Sequence, residues 1–155
     1  MKMSPELTKA QANMQPGVIT SDGFLGEDDR PIVDIIQDDE EEMARLGLSF
    51  EESARKLREL MEEGRKGLGE PVTVEGRWLS RVDEARGFLP SPFEDGIFRK
   101  VNAQVERLDE NEKPTGDRIA YTQLSLHLME AHHFLQGKGS AFRLDPGTIK
   151  RVLGA

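Results

Sequence analysis

The chain has 155 residues, 32% of them charged and 36% hydrophobic, with a formal net charge of −8 and no cysteine. That length suits one ordinary domain that buries a core unaided, the missing cysteines exclude disulfides, thiolate catalysis and sulfur-ligated clusters, and the acidic balance opposes a polyanion partner. The expectation is a cytoplasmic protein with no nucleic-acid or membrane partner, since no secretory-type or 18-residue apolar run is found and Arg65-Lys66 and Arg99-Lys100 are isolated basic pairs.

Residues 1–14 are polar without hydrophobic period and read as a flexible tail, followed by a single α+β domain over 15–155. The segment Pro16 to Gly26 mixes glycines with Val18, Ile19, Phe24 and Leu25, so it is expected to lie as an arm on the domain or on a second copy. Pro31 suits the first turn of a helix carrying Ile32, Ile35, Ile36, Met43 and Leu46 as far as Gly47. The run Asp38 to Glu42 on this helix reads as a solvated acidic face. Ser49 with Glu52 forms a capping box for a second helix, whose stripe is Phe50, Ala54, Leu57 and Met61, and which Gly67 ends. The two helices most simply make an antiparallel hairpin.

After Pro71 the period changes from 3.6 to 2. Val72 to Val74 and Trp78 to Val82 read as strands, the second with an ambiguous inner face, and Gly87 to Gly96, with Pro90 and Pro92, as a loop. Val101, Ala103 and Val105 face one way and Lys100, Asn102, Gln104 and Glu106 the other, which predicts a half-buried strand. Asp109 to Asp117 is a hairpin connection and Arg118 to Tyr121 the returning strand. Thr122 caps a helix striped by Leu124, Leu128, Ala131 and Leu135, and Asp145-Pro146 opens a final one. The fold expected is therefore α+β: an N-terminal helical hairpin, a small antiparallel sheet and a C-terminal helix packed on it.

All three histidines lie on the Thr122 helix, His127 on one flank of its apolar stripe, His132 on the other and His133 on the far side. His127 and His132, five apart behind a β-hairpin, match the second half of a zinc-finger arrangement. The first half is missing, and the loop that could supply it, Ser91 to Asp95, offers only oxygens. The competing structural reading stacks His127 on Phe134, bonds His132 to a carbonyl and leaves His133 in water. Glu130, one turn from His127, is placed to tune it if both face inward.

A second candidate is an anion site on Lys138, Gly139, Ser140 and Arg143, where loop N–H groups, two cations and the helix start at Pro146 converge. Its plainer alternative is a helix C-cap with Gly137 in the left-handed conformation and Arg143 paired with an acid. No nucleophile elbow, dinucleotide fingerprint or kinase set occurs, and no cofactor is expected.

At 14–26 (MQPGVITSDGFLG), 90–93 (PSPF) and 121–145 the chain resembles a family of small bacterial cytoplasmic proteins of uncharacterised function. The resemblance covers nearly all of the chain from Met14 and implies a shared fold without naming an activity. It further implies relatives with a cysteine at the position of Ser91 and a histidine near Asp95, so that His127, His132 and Asp95 read as a vestigial metal site. The leading functional expectation is a non-catalytic binding or protein-interaction module for an unknown protein or small anionic ligand, with possible self-association through the arm. The alternative is a metal- or anion-dependent enzyme built on the 127–143 helix and loop.

Overall fold

A computed structural model describes residues 2–154. The period-two region forms a four-stranded antiparallel meander, β1 (Val72–Val74), β2 (Trp78–Pro90), β3 (Ile97–Leu108) and β4 (Pro114–Thr122), in sequence order across the sheet. Alternation decides its faces: Trp78, Ser80, Val82, Val101, Ala103, Val105, Ile119 and Tyr121 are buried, while Arg81, Asp83, Asn102, Gln104 and Arg118 are exposed. Five helices accompany it among the described residues: α1 (Pro5–Asn13), α2 (Ile32–Arg45), α3 (Phe50–Arg65), α4 (Gln123–His132) and α5 (Pro146–Leu153). The architecture is α+β, with N-terminal helices, an antiparallel sheet and C-terminal helical packing. None of the described helices is long and apolar enough to cross a membrane.

Helix α3 lies on the buried face, where Leu57, Leu60 and Met61 join Trp78, Val82, Val105 and Tyr121 in the larger apolar cluster. Polar atoms buried with them are satisfied across the interface. Tyr121 Oη donates to the Leu57 carbonyl at 2.5 Å, Ser80 Oγ to the Leu60 carbonyl at 2.7 Å, and Trp78 Nε1 to the Val152 carbonyl of α5 at 2.7 Å. A second cluster brings together Met14, Phe24, Leu25, Ile32, Ile35, Leu124, Leu128 and Phe134. The arm thus packs on its own domain. Helix α4 contributes to both clusters, Leu126 and Met129 to the first and Leu124 and Leu128 to the second.

Four segments differ from the sequence reading, one of them β4, which starts at Pro114 inside the expected 109–117 connection. Residues 1–14, expected as a flexible tail, contain α1, capped by Ser4 Oγ accepting from Leu7 N–H at 3.1 Å and anchored by buried Ala10 and Met14. Gln11 Oε1 also accepts the Ile32 N–H at 3.0 Å, capping α2, which has no side-chain cap of its own. Gly87 to Gly96, expected as a loop throughout, is strand as far as Pro90. Pairing shifts register between Ala85 and Phe88, and Gly87, at φ 98, absorbs the bulge so that Phe88, Leu89 and Pro90 pair with Arg99, Phe98 and Ile97. Helix α4 ends earlier than its apolar period suggests, because His133 takes the left-handed conformation at φ 53 and the Phe134 N–H reaches back to the Leu128 carbonyl at 3.1 Å. Gly137 therefore does not cap this helix. It sits where a Cβ would overlap the Leu25 carbonyl, holding the chain against the arm.

Candidate metal centre

The shortened β2–β3 connection, residues 91–96, is a tight turn closed by Ser91 N–H to the Gly96 carbonyl at 2.9 Å and Glu94 N–H to the Ser91 carbonyl at 2.9 Å. Helix α1 pins it from the side: Asn13 Nδ2 donates to the Pro92 carbonyl at 2.9 Å, and Lys9 pairs with Glu94 at 3.0 Å. The turn carries Asp95 across the C-terminal end of α4. Two histidines five positions apart diverge by about 140° around an ideal helix, yet here both reach one oxygen. Asp95 Oδ2 lies 2.9 Å from His127 Nε2 and 2.6 Å from His132 Nε2. One ligand atom from each of the three residues falls within 4.8 Å of the others.

Aromatic rings fix the imidazoles from behind. Phe93 stacks on His132 with centroids 3.8 Å apart and planes 7° off parallel, and Phe98 lies against His127 at 4.5 Å. Partial burial works against the Asp95 charge, but hydrogen bonds from Ser91, His132 and His127 outweigh it, holding this carboxyl well below the usual range. The three side chains keep 23% (His127), 25% (His132) and 35% (Asp95) of their surface, so a cation held there keeps positions open to water.

The remaining residues singled out in the sequence are used elsewhere. His133 stacks on Phe50 at 4.0 Å and bonds Glu40 through Nδ1 at 2.7 Å, apart from the Asp95 cluster. His127 meets Phe98, since Phe134 is buried below Phe93 in an edge contact at 6.2 Å. Glu130 is taken by Arg58 of α3, at 3.1 and 3.2 Å.

In the 138–143 loop the negative charge is supplied by the chain itself. Arg143 forks onto buried Asp39, 2.9 Å at each nitrogen, and donates to the Gln136 carbonyl at 2.7 Å. The Lys138 N–H donates to Asp28 Oδ2 at 3.2 Å, its carbonyl accepts from Glu27 N–H at 2.9 Å, and Ser140 Oγ donates to Gln136 Oε1 at 2.6 Å. Gly139 allows close approach of Glu27 N. Lys138, Gly139, Ser140 and Arg143 thus fasten the loop to the arm and to α2, and the acids that sequence spacing could not assign to them are Asp28 and Asp39.

Phe93, Phe98 and Asn13 join the site only through the fold. Phe93 lies in the PSPF segment, but its contact with His132 depends on where α4 stops. Comparison of the chain with protein-family models, curated proteins and solved structures finds no match.

Proposed function

We propose that this protein binds one divalent transition-metal ion through Asp95, His127 and His132, leaving coordination positions open for water or a ligand. The observation that carries the reading is the convergence of two imidazole nitrogens from α4 on a carboxylate oxygen from a turn 32 residues upstream. Two nitrogens and one oxygen suit zinc, cobalt, nickel, iron(II) or manganese, and the absence of thiolate ligands disfavours copper(I). Two aromatic faces orient the rings, and Ser91 supports the carboxylate. A metal taking both Nε2 atoms would displace the two hydrogen bonds to Asp95, each neutral ring then carrying its proton on Nδ1. With three protein ligands, a bound ion would keep positions open for Lewis-acid or ligand-exchange chemistry.

A second reading is favoured by the bonding distances themselves. At 2.6 and 2.9 Å the cluster is already satisfied as a histidine–carboxylate bridge that ties the 91–96 turn to α4. Calorimetric titration of the chelator-treated chain with zinc separates the two. The metal reading expects one site per chain, weakened about 10-fold to 100-fold or more by His127→Ala, His132→Ala or Asp95→Asn. No saturable uptake, or uptake unchanged in these variants, leaves the structural bridge.

A further inference from the structure

The pairs Ala85–Lys100 and Asn102–Thr122 put these four side chains on the sheet face opposite buried Val101 and Ala103. Against this face lie the 139–142 loop and the arm, which is fixed by Phe24 N–H to the Met14 carbonyl at 2.9 Å and by Gly137 N–H to the Phe24 carbonyl at 3.0 Å. Sheet, arm and loop enclose a groove of about 690 Å³, within the range that takes small organic ligands. Neither His127 nor His132 lines it, so the groove stands independently of the metal reading.

The lining divides by chemistry. Ile19, Phe24, Leu89, Leu124 and Phe142 supply apolar wall. The polar part is one connected strip, joined through Ser125 of α4. Ser140 Oγ donates to Gln136 Oε1 at 2.6 Å, Gln136 Nε2 donates to Ser125 Oγ at 3.4 Å, and Ser125 Oγ lies 2.9 Å from Thr122 Oγ1. Asn102 stands beside Thr122 in register. Gln136, buried yet part of the lining, spends its oxygen and one N–H in this strip, which leaves its second N–H and the whole Asn102 carboxamide for a ligand. The strip is neutral. Arg99 alternates with Val101 towards the other face of β3, and Lys100 crosses to the β2 bulge, its Nζ 4.0 Å from where a Cβ on Gly87 would sit. Asp22, on the arm, is the one carboxylate in the lining.

We propose that this groove binds a neutral purine nucleoside, its base edge on the Asn102 carboxamide and its ribose hydroxyls on Asp22. A carboxamide holds a donor and an acceptor side by side, which matches the amino group and adjoining ring nitrogen of adenine. The flat ring covers the apolar wall, and a carboxylate accepts from ribose hydroxyls. A pure hydrocarbon in the same place strands the spare N–H of buried Gln136. Asp22 and the net charge of −8 oppose a phosphate on the ligand.

The test is calorimetric titration of the full chain with adenosine, with purine riboside, which lacks only the amino group, and adenine, which lacks the ribose, as matched controls. Adenosine is expected to bind at one site, roughly tenfold or more tighter than purine riboside, with amide shifts at Asn102, Leu124 and Gly139. Asn102→Leu, at an exposed strand position, is expected to bind the two nucleosides alike. Asp22→Asn is expected to weaken adenosine more than adenine, and His127→Ala/His132→Ala to leave adenosine binding unchanged. No adenosine binding to the wild-type chain, equal binding of purine riboside, or an undiminished preference for adenosine in Asn102→Leu each overturns the proposal.

Discussion

The Arg143 guanidinium meets the Asp39 carboxylate through two hydrogen bonds of 2.9 Å, with 9% and 7% of the two side chains exposed. This fork joins the loop after α4 to the middle of α2, residues 104 positions apart. Removing one partner leaves a buried charge without compensation, so Asp39→Ala is expected to cost about 3–5 kcal/mol in urea unfolding. A double Asp39→Leu/Arg143→Met variant is expected to recover most of that loss. Equal instability of the single and double variants is the result that contradicts this account.

Asp28 contributes in a pH-dependent way. Its hydrogen bonds from Arg30, at 2.8 and 2.6 Å, first, and from the Lys138 and Arg30 backbone N–H groups next, depress its pKa below the usual value of 3.8 against the opposing effect of burial. A carboxyl depressed in the folded state stabilises it fully above the unfolded pKa, and that contribution is lost as pH falls through it toward the folded value. Wild-type stability should therefore drop below about pH 4 more steeply than that of Asp28→Asn. The variant should start lower by about 1.5–3 kcal/mol at neutral pH. Parallel acid-unfolding limbs argue against this assignment.

Gly137 gives a purely steric test. A Cβ there overlaps the Leu25 carbonyl, backbone against backbone, with no flexible side-chain end to yield. Gly137→Ala is expected to cost about 1–3 kcal/mol or more. Thermal melts of this variant beside Gly64→Ala, where the added carbon meets the Ser80 hydroxyl and a Val82 methyl, show whether the arm contact is as rigid as the α3–sheet contact.

Deleting residues 1–13 removes the Gln11 cap on α2 and the Asn13 and Lys9 contacts with the 91–96 turn. The expected loss is roughly 2–4 kcal/mol of stability, from two hydrogen bonds and buried apolar surface, with weaker zinc binding as the Asp95 turn loosens. Unchanged stability on deletion returns this segment to the status of a loose tail.

Much of this arrangement is legible in the sequence because it is governed by local signals. The Ser49, Thr122 and Asp145 caps all form where the sequence puts them, and β3 alternates as its side chains demand. Local rules failed where a distant partner decides the outcome. The α1 segment lacks a strong apolar period, and its order comes from contacts with α2 and the 91–96 turn. The β2 extension depends on a glycine bulge that reads locally as a turn. The α4 terminus is set by a histidine in the left-handed conformation, which composition alone assigns to Gly137. At the site, Asp95, His127 and His132 could be named from the sequence, but their common meeting point could not. It requires Asp95 to be carried to α4 by a turn whose length was overestimated.

Three histidines make the central claim directly measurable. Imidazole nitrogen–proton correlation spectra of the chelator-treated chain, with and without one equivalent of zinc, report each ring separately, and His133 on Glu40 and Phe50 serves as internal control. Metal binding at the proposed centre predicts large shifts of His127 and His132 Nε2 and an unmoved His133. Shifts of all three together, or of none, contradict it.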